Sequence, residues 1–213
     1  YNERRQKDSV KLFEVSDIYL NHKTISKKRV IGLIASGRVA NNYEDFSKKI
    51  DTNYFSSLFK DLTDYNFQFE TISRNELDTK LKDPITYIEI DLDEINSLSL
   101  KYSSSLEMPE NFNQYKKISD LPSSKRDLSF LIKDHKSLKE LEEKIISYEN
   151  KILKEKFIFD YYLNDKSKEI KLGYRFIFQS SEDTITDQEV TKILNDIIEI
   201  ATSIHSVEIP GLQ

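Results

Sequence analysis

The chain has 213 residues, 38% of them hydrophobic and 11% aromatic, a globular composition able to bury one or two cores. It contains no cysteine, which excludes disulfides, thiolate metal sites and cysteine nucleophiles. The net charge of −5 runs against a generic nucleic-acid binder, whose usual footprint is a basic surplus.

The histidines, His22, His135 and His205, are isolated, with no second ligand at metal-binding spacing. No apolar run approaches the roughly 20 residues that cross a bilayer, so no membrane partner is expected. The chain starts at Tyr1 in a charged stretch with no signal-peptide pattern, and is expected to be a fragment lacking upstream sequence. Abundant Lys, Ile, Asn, Ser and Tyr with scarce Gly, Pro and Trp suggest an AT-rich genome, that of an organelle or a low-GC bacterium.

Two strands are expected first, Val10 to Tyr19 and Arg29 to Ala35, rich in β-branched and aromatic residues. The polar stretch between them, residues 21–28, reads as a hairpin connection. A helix is expected over Asp51 to Tyr65, where Tyr54, Phe55, Leu58, Phe59 and Leu62 form one apolar stripe. Strands follow at Phe67 to Ile72 and Thr86 to Leu92, the second alternating Ile88, Ile90 and Leu92 against Glu89, Asp91 and Asp93. Asp91 and Asp93 then share a face, explained best as the solvated side of an edge strand. The loop-rich stretch Ser103 to Ser124 carries two prolines and places a boundary near residue 118.

The second half begins with a strand over Arg126 to Lys133, its Leu128, Phe130 and Ile132 on one face. Ser137 with Glu140 reads as a capping box opening a helix with Leu138, Leu141 and Ile145 inward. Phe157 to Leu163 and Ile170 to Ser180 read as strands joined by a polar turn. A second capping box, Thr186 with Glu189, opens a helix whose stripe runs from Val190 through Ile193, Ile197 and Ala201 to Ile204. A short strand, Ser206 to Ile209, ends the series. This is the βαββαβ order of ferredoxin-like domains, with both helices on one face of a four-stranded sheet and the other face open.

Leu121-Pro122-Ser123-Ser124-Lys125-Arg126-Asp127-Leu128 resembles the start of the anticodon-binding domain of the phenylalanyl-tRNA synthetase β-subunit family. Phe159-Asp160-Tyr161-Tyr162 is similar to its Phe-Asp-x-Tyr strand, and Arg175-Phe176-Ile177-Phe178-Gln179-Ser180 to its Arg-x-x-Phe-Gln-Ser. The run from Asp183 to Val190 is similar to its Thr-Leu-Thr-Asp-x-Glu-Val helix start. In the first half, Lys11 to Tyr19, Arg29 to Gly37 and Glu89 to Asp93 resemble strands of its catalytic-like module, with Ser16 where a glycine is usual. A Gly-rich turn with a His-Pro pair, normal in the family, is missing between Ser73 and Pro84.

The resemblance implies an α+β chain. Its antiparallel, class II synthetase-like but catalytically inactive sheet region occupies residues 1–105, a linker 106–118, and a ferredoxin-like anticodon-binding domain 119–213. It also implies an α2β2 ligase that joins phenylalanine to its tRNA. The α subunit would hold the active site, and ATP and Mg²⁺ would belong to the whole enzyme, leaving no cofactor in this portion. The expected partners are phenylalanine tRNA and the α subunit, with neither membrane nor DNA. The composition leans towards the plastid stroma, with a bacterial cytoplasm as the alternative.

RNA is gripped by aromatic stacking on unpaired bases and cationic contacts to phosphates. Lys171, Arg175 and Gln179 alternate against Leu172, Tyr174, Phe176 and Phe178, so the polar set is expected on the open face. On the preceding strand Phe157, Phe159 and Tyr161 form one face and Ile158, Asp160 and Tyr162 the other. Asp160 and Tyr162 are assigned to the open face, because a buried unpartnered carboxylate is costly. With Arg126 these six are the candidate tRNA-binding residues; for each aromatic, core packing is the bland alternative. Seven cations against four acids over residues 151–175 make the middle strands basic, while Glu182 to Glu199 is acidic. RNA on one face and helices on the other would sort charge this way. A regulatory ligand-binding module is the competing class, but Lys133 to Lys136 lacks the glycine its effector loop would need. A plain interaction domain is the third.

Overall fold

A computed structural model describes residues 9–21, 25–60, 63, 67–78, 82–96 and 119–211. The expected linker, residues 106–118, lies outside them. Two antiparallel sheets form, one in each half of the chain.

In the first half Ser9–Asn21 (β1) pairs with Ile25–Gly37 (β2) along its whole length, Ser9 opposite Gly37 and Asn21 opposite Ile25. Much of the polar stretch expected as a connection is therefore strand. Two of its lysines find cross-strand carboxylates, Lys27 on Asp17 at 2.8 Å and Lys28 on Asp91 at 3.0 Å. Thr52–Lys60 (α1) follows, then the short strand Glu70–Ile72 (β3) and Ile85–Asp91 (β4). The sheet order is β1-β2-β4-β3.

Strand β4 is thus interior, not an edge. Asp91 ends it, and Asp93 lies in the short helix Leu92–Asn96 (α2), donating its backbone N–H to the Asp91 carboxylate. Lys28 first, and that N–H second, hold the Asp91 carboxyl below its usual value. The two acids serve a strand-to-helix turn and do not share a strand face.

Opposite residues on paired strands point the same way. Ile31, Leu33 and Ala35 therefore share a face with Ile90, Ile88 and Thr86. Helix α1 covers that face with Phe55 and Phe59, which meet Phe69 and Phe67 at ring separations of 5.5 and 4.8 Å. Those last two rings sit ahead of β3 in irregular chain, so the strand expected from Phe67 is shorter than its apolar pattern. Rings packing on a helix need no ladder.

Between β2 and α1, residues 38–50 make a closed excursion. Gly37, at φ 92, turns the chain out of the strand in a conformation that favours glycine. The excursion's ends are tied by Ile50 N–H to the Gly37 carbonyl (2.8 Å) and Val39 N–H to the Lys48 carbonyl (3.1 Å). Inside it the Asn42 side chain accepts from the N–H groups of Glu44 and Asp45. This is a compact surface loop packed by its own groups.

The second half runs Ser124–Ile132 (β5), His135–Ser147 (α3), Leu153–Leu163 (β6), Ile170–Phe178 (β7), Asp187–Thr202 (α4) and Val207–Glu208 (β8). The order β6-β7-β5-β8, all antiparallel, is the expected split βαβ. Phe130, Ile132, Leu172, Phe176 and Phe178 of the sheet pack with Leu141 and Ile145 of α3 and Val190, Ile197 and Ala201 of α4, all buried. Each such apolar side chain removed from water contributes about 1.5–3 kcal/mol, which makes this the dominant core of the chain.

The two helix starts differ from one another. Thr186 and Glu189 form the reciprocal capping box read from the sequence. The start of α3 is corrected: Asp134 is the cap, accepting from Lys136 N–H, and Ser137 lies in the first turn. The Ser137 hydroxyl instead donates to the His205 carbonyl at 2.7 Å, tying α3 to the turn between α4 and β8. A buried hydroxyl needs a partner more than an already capped helix needs a second cap.

Candidate nucleic-acid interface

Register decides which side chains lie on the sheet face away from the helices. On β7 the alternation is regular: Ile170, Leu172, Tyr174, Phe176 and Phe178 are buried beneath the helices, and Lys171, Gly173 and Arg175 face the other way. Asp127 lies opposite Arg175 on β5. On β6 the alternation breaks. Ile158 pairs with Tyr174 and Asp160 with Gly173, so Phe159 is the extra residue of a β-bulge.

The bulge shifts the pattern by one, and Phe157, Phe159, Asp160 and Tyr162 all join the open face. The expected opposition of Phe157 and Phe159 to Asp160 and Tyr162 is corrected accordingly. Gly173 makes room for it: a Cβ there would stand 3.0 Å from the Phe159 ring and from the Asp160 Cβ. A glycine inside an otherwise apolar strand is the one sequence signal of such a close approach.

The six candidate residues separate into three groups. Asp160, Tyr162 and Lys171 are exposed on the open face, towards the β6–β7 turn, with Tyr162 opposite Lys171 and 56% accessible. Arg175 is on the same face but engaged: its Nε and Nη2 donate to both Asp127 oxygens at 2.8 and 2.7 Å, and its side chain is only 18% exposed. Gln179 is buried; it accepts from Lys154 and donates to the Leu121 carbonyl, lashing the segment before β5 to the sheet. Arg126 is on the helix side, opposite Phe176, and its guanidinium bonds Asp187 at the start of α4 (2.7 Å).

The basic run of the middle strands is also sorted otherwise than expected. Lys156 turns to the helix side and donates to the Ile146 and Tyr148 carbonyls at the end of α3. Burial lowers its pKa. Lys171 and Arg175 are the cations that the alternation of β7 carries to the open face.

The centre of that face meets the excursion between β2 and α1. Phe46 lies 5.9 Å from Phe157 and 5.3 Å from Phe159, ring to ring. The Arg175 guanidinium stands 5.0 Å from the Phe46 ring and 5.1 Å from the Phe159 ring. The Arg38 guanidinium stands 4.0 Å from the Phe46 ring and donates to the Phe46 carbonyl. At the sheet edge Tyr43 meets Tyr161 at 5.4 Å. None of these partners is recognisable from the sequence, because Phe46 and Phe159 are more than a hundred residues apart.

Among the described residues no cluster of three His, Cys, Asp or Glu could hold a metal ion, and no helix is long and apolar enough to cross a membrane. What the open face offers is stacking surface, hydrogen-bonding groups and cations, Lys171 and Arg175 from β7 and Lys125 from β5.

Residues 119–209 match the family model described as the ferredoxin-fold anticodon binding domain. The β subunit of phenylalanine–tRNA ligase from Bacillus licheniformis is 25% identical over 93% of this chain and 28% of its own length. That of Bacillus subtilis is 24% identical over 99% of the chain and 30% of its own length. The Bacteroides fragilis subunit is 33% identical over 39% of the chain and 10% of its length. The chain thus spans roughly three tenths of the first two relatives. Fold, motif order and these likenesses agree: the chain is similar to phenylalanine–tRNA ligase β subunits along most of its length, and its residues 119–209 have a ferredoxin fold and match the ferredoxin-fold anticodon binding domain.

Proposed function

We propose that the chain is a non-catalytic, carboxyl-terminal portion of a phenylalanine–tRNA ligase β subunit that binds the anticodon region of phenylalanine tRNA. The observation that carries this is the open end of the second sheet, where Tyr162 and Lys171 sit side by side on a domain matched to anticodon binders. An exposed ring stacks an unpaired base, and an adjacent ammonium meets its phosphate. Asp160 is positioned to accept from a base edge. The first half serves as a class II synthetase-like but inactive module docking on the α subunit of an α2β2 ligase. ATP and Mg²⁺ act elsewhere in that assembly, and this portion binds neither. The composition supports a plastid setting, while the relatives named are bacterial.

Fluorescence anisotropy of the whole chain against phenylalanine tRNA, and against the same tRNA with a substituted anticodon, tests this. Tyr162→Ala and Lys171→Ala are each expected to weaken binding about tenfold, the scale of one lost stacking or phosphate contact. Equal affinity for both tRNAs would remove the anticodon role and favour a plain interaction module. Aminoacylation by this chain alone would overturn the division of labour.

A further inference from the structure

Resting on the RNA-binding role proposed for the second sheet, we infer that Phe157, Phe159 and Arg175 form a nucleobase-stacking site that Phe46 fills in the free chain, so that RNA and the first half compete for it. The site has the composition such a subsite needs. Two rings and a planar guanidinium line it, and the Asp127 carboxylate fixes the guanidinium through two parallel hydrogen bonds. Bulging at Phe159 brings that second ring to the open face, and Gly173 lets it lie close against the strand. The occupant is itself a flat aromatic group, tilted 48° and 55° to the two rings, so it covers them without stacking flat. A base lying parallel to the rings would make the fuller contact.

The shutter is built to move as a unit. Phe46 and Tyr43 ride on an excursion closed by its own hydrogen bonds, and Arg38 travels with Phe46 because both belong to it. Among the described residues no strand pairing joins the two sheets. Undocking therefore exchanges ring contacts and breaks no ladder. Linkage follows: whatever favours docking weakens RNA at this subsite by the same factor that RNA weakens docking.

The test measures binding of the full chain to phenylalanine tRNA with Phe46→Ala, with Phe46→Ala plus Phe159→Ala, and with a lock. For the lock, Tyr43→Cys and Tyr161→Cys are joined by a cleavable thiol-reactive linker, selective because the chain has no other cysteine. Phe46→Ala is expected to tighten binding roughly tenfold, the worth of about two aromatic pairs no longer competing. Adding Phe159→Ala should erase that gain. Locking should weaken binding, and cleaving the linker should restore it. Hydrogen exchange across β6 and β7 monitors folding of every variant. Unchanged or weaker binding by folded Phe46→Ala, with no effect of the lock, overturns the shutter and makes the contact a fixed joint. In that case a loss with Tyr162→Ala would leave the RNA role standing. If neither the native chain nor Phe46→Ala binds tRNA, the RNA role itself fails, and the shutter with it.

Discussion

Replacing Arg175 by alanine removes several interactions at once, and their sizes can be assigned from the geometry. The two bonds to Asp127 are charge-assisted and nearly parallel, at 2.8 and 2.7 Å. In a dry site such a pair contributes about 1.5–3 kcal/mol. Asp127 is 42% exposed, so solvent screens it and about 1–2 kcal/mol is the better expectation. Contacts with the Phe46 and Phe159 rings add roughly 0.5–1 kcal/mol each. Arg175→Ala should therefore cost about 2–4 kcal/mol. A double-mutant cycle with Asp127→Ala isolates the pair, with an expected coupling of about 1–2 kcal/mol. Urea unfolding followed by far-UV dichroism reports the total, fitted as two transitions if the halves unfold separately. A coupling under about 0.3 kcal/mol, the ordinary scatter of independent sites, would refute the idea that Asp127 anchors the guanidinium.

Lys156→Met should destabilise the second half by about 1–2 kcal/mol, since it leaves the Ile146 and Tyr148 carbonyls at the end of α3 without their cation; a thermal melt within 1 °C of the native chain would contradict this. Gly173→Ala should cost about 1–3 kcal/mol by pushing Phe159 and Asp160 off the strand. In the folded variant, amide chemical shifts should move at residues 157–161 and leave α4 unchanged. Glu189 is held below the ordinary glutamate value by the Thr186 backbone N–H first and its hydroxyl second. Its contribution is therefore complete above the unfolded value of about 4.3 and lost as pH falls through the lower folded value. Glu189→Gln should make the acid side of the urea midpoint against pH shallower, and an unaltered profile would count against the capping box as an acid-sensitive element.

Most of the second half was legible because its signals are local and agree with one another. The stripe of Val190, Ile193, Ile197 and Ala201 follows a helical period behind a true capping box, and the partners of Leu172 and Phe176 follow from plain alternation. Prediction failed where one residue changed the period. At Phe159 the bulge reversed the faces assigned upstream of it, although Gly173 across the sheet was the available clue. At Asp91 and Asp93 the alternation simply stopped, because the chain enters α2. Arg126 and Gln179 have the chemistry of RNA ligands but are bound by Asp187 and by Leu121 with Lys154. Side-chain type cannot reveal an intramolecular partner sixty residues away. Phe46 lay wholly beyond sequence reasoning, since nothing in residues 38–50 indicates which surface they reach.

That excursion departs from β2 at Gly37 and returns at Ile50, with its two ends hydrogen-bonded to each other. A segment whose ends already meet is modular: a two-residue turn in place of residues 39–48 would span the same gap and spare the pairing of β1, β2 and β4. Besides its ties to its own sheet, through Lys11 on the Val39 carbonyl and Lys49 on Asp83, it carries ring contacts to the other half of the molecule. The sheet that bears it and the sheet that receives it can therefore be uncoupled by deletion with the strand pairing of both kept, at the loss of the Val39 contact on the first core. Orthologous chains could lengthen, shorten or lose this arm while keeping both folds, so communication between the halves could vary independently of their stability.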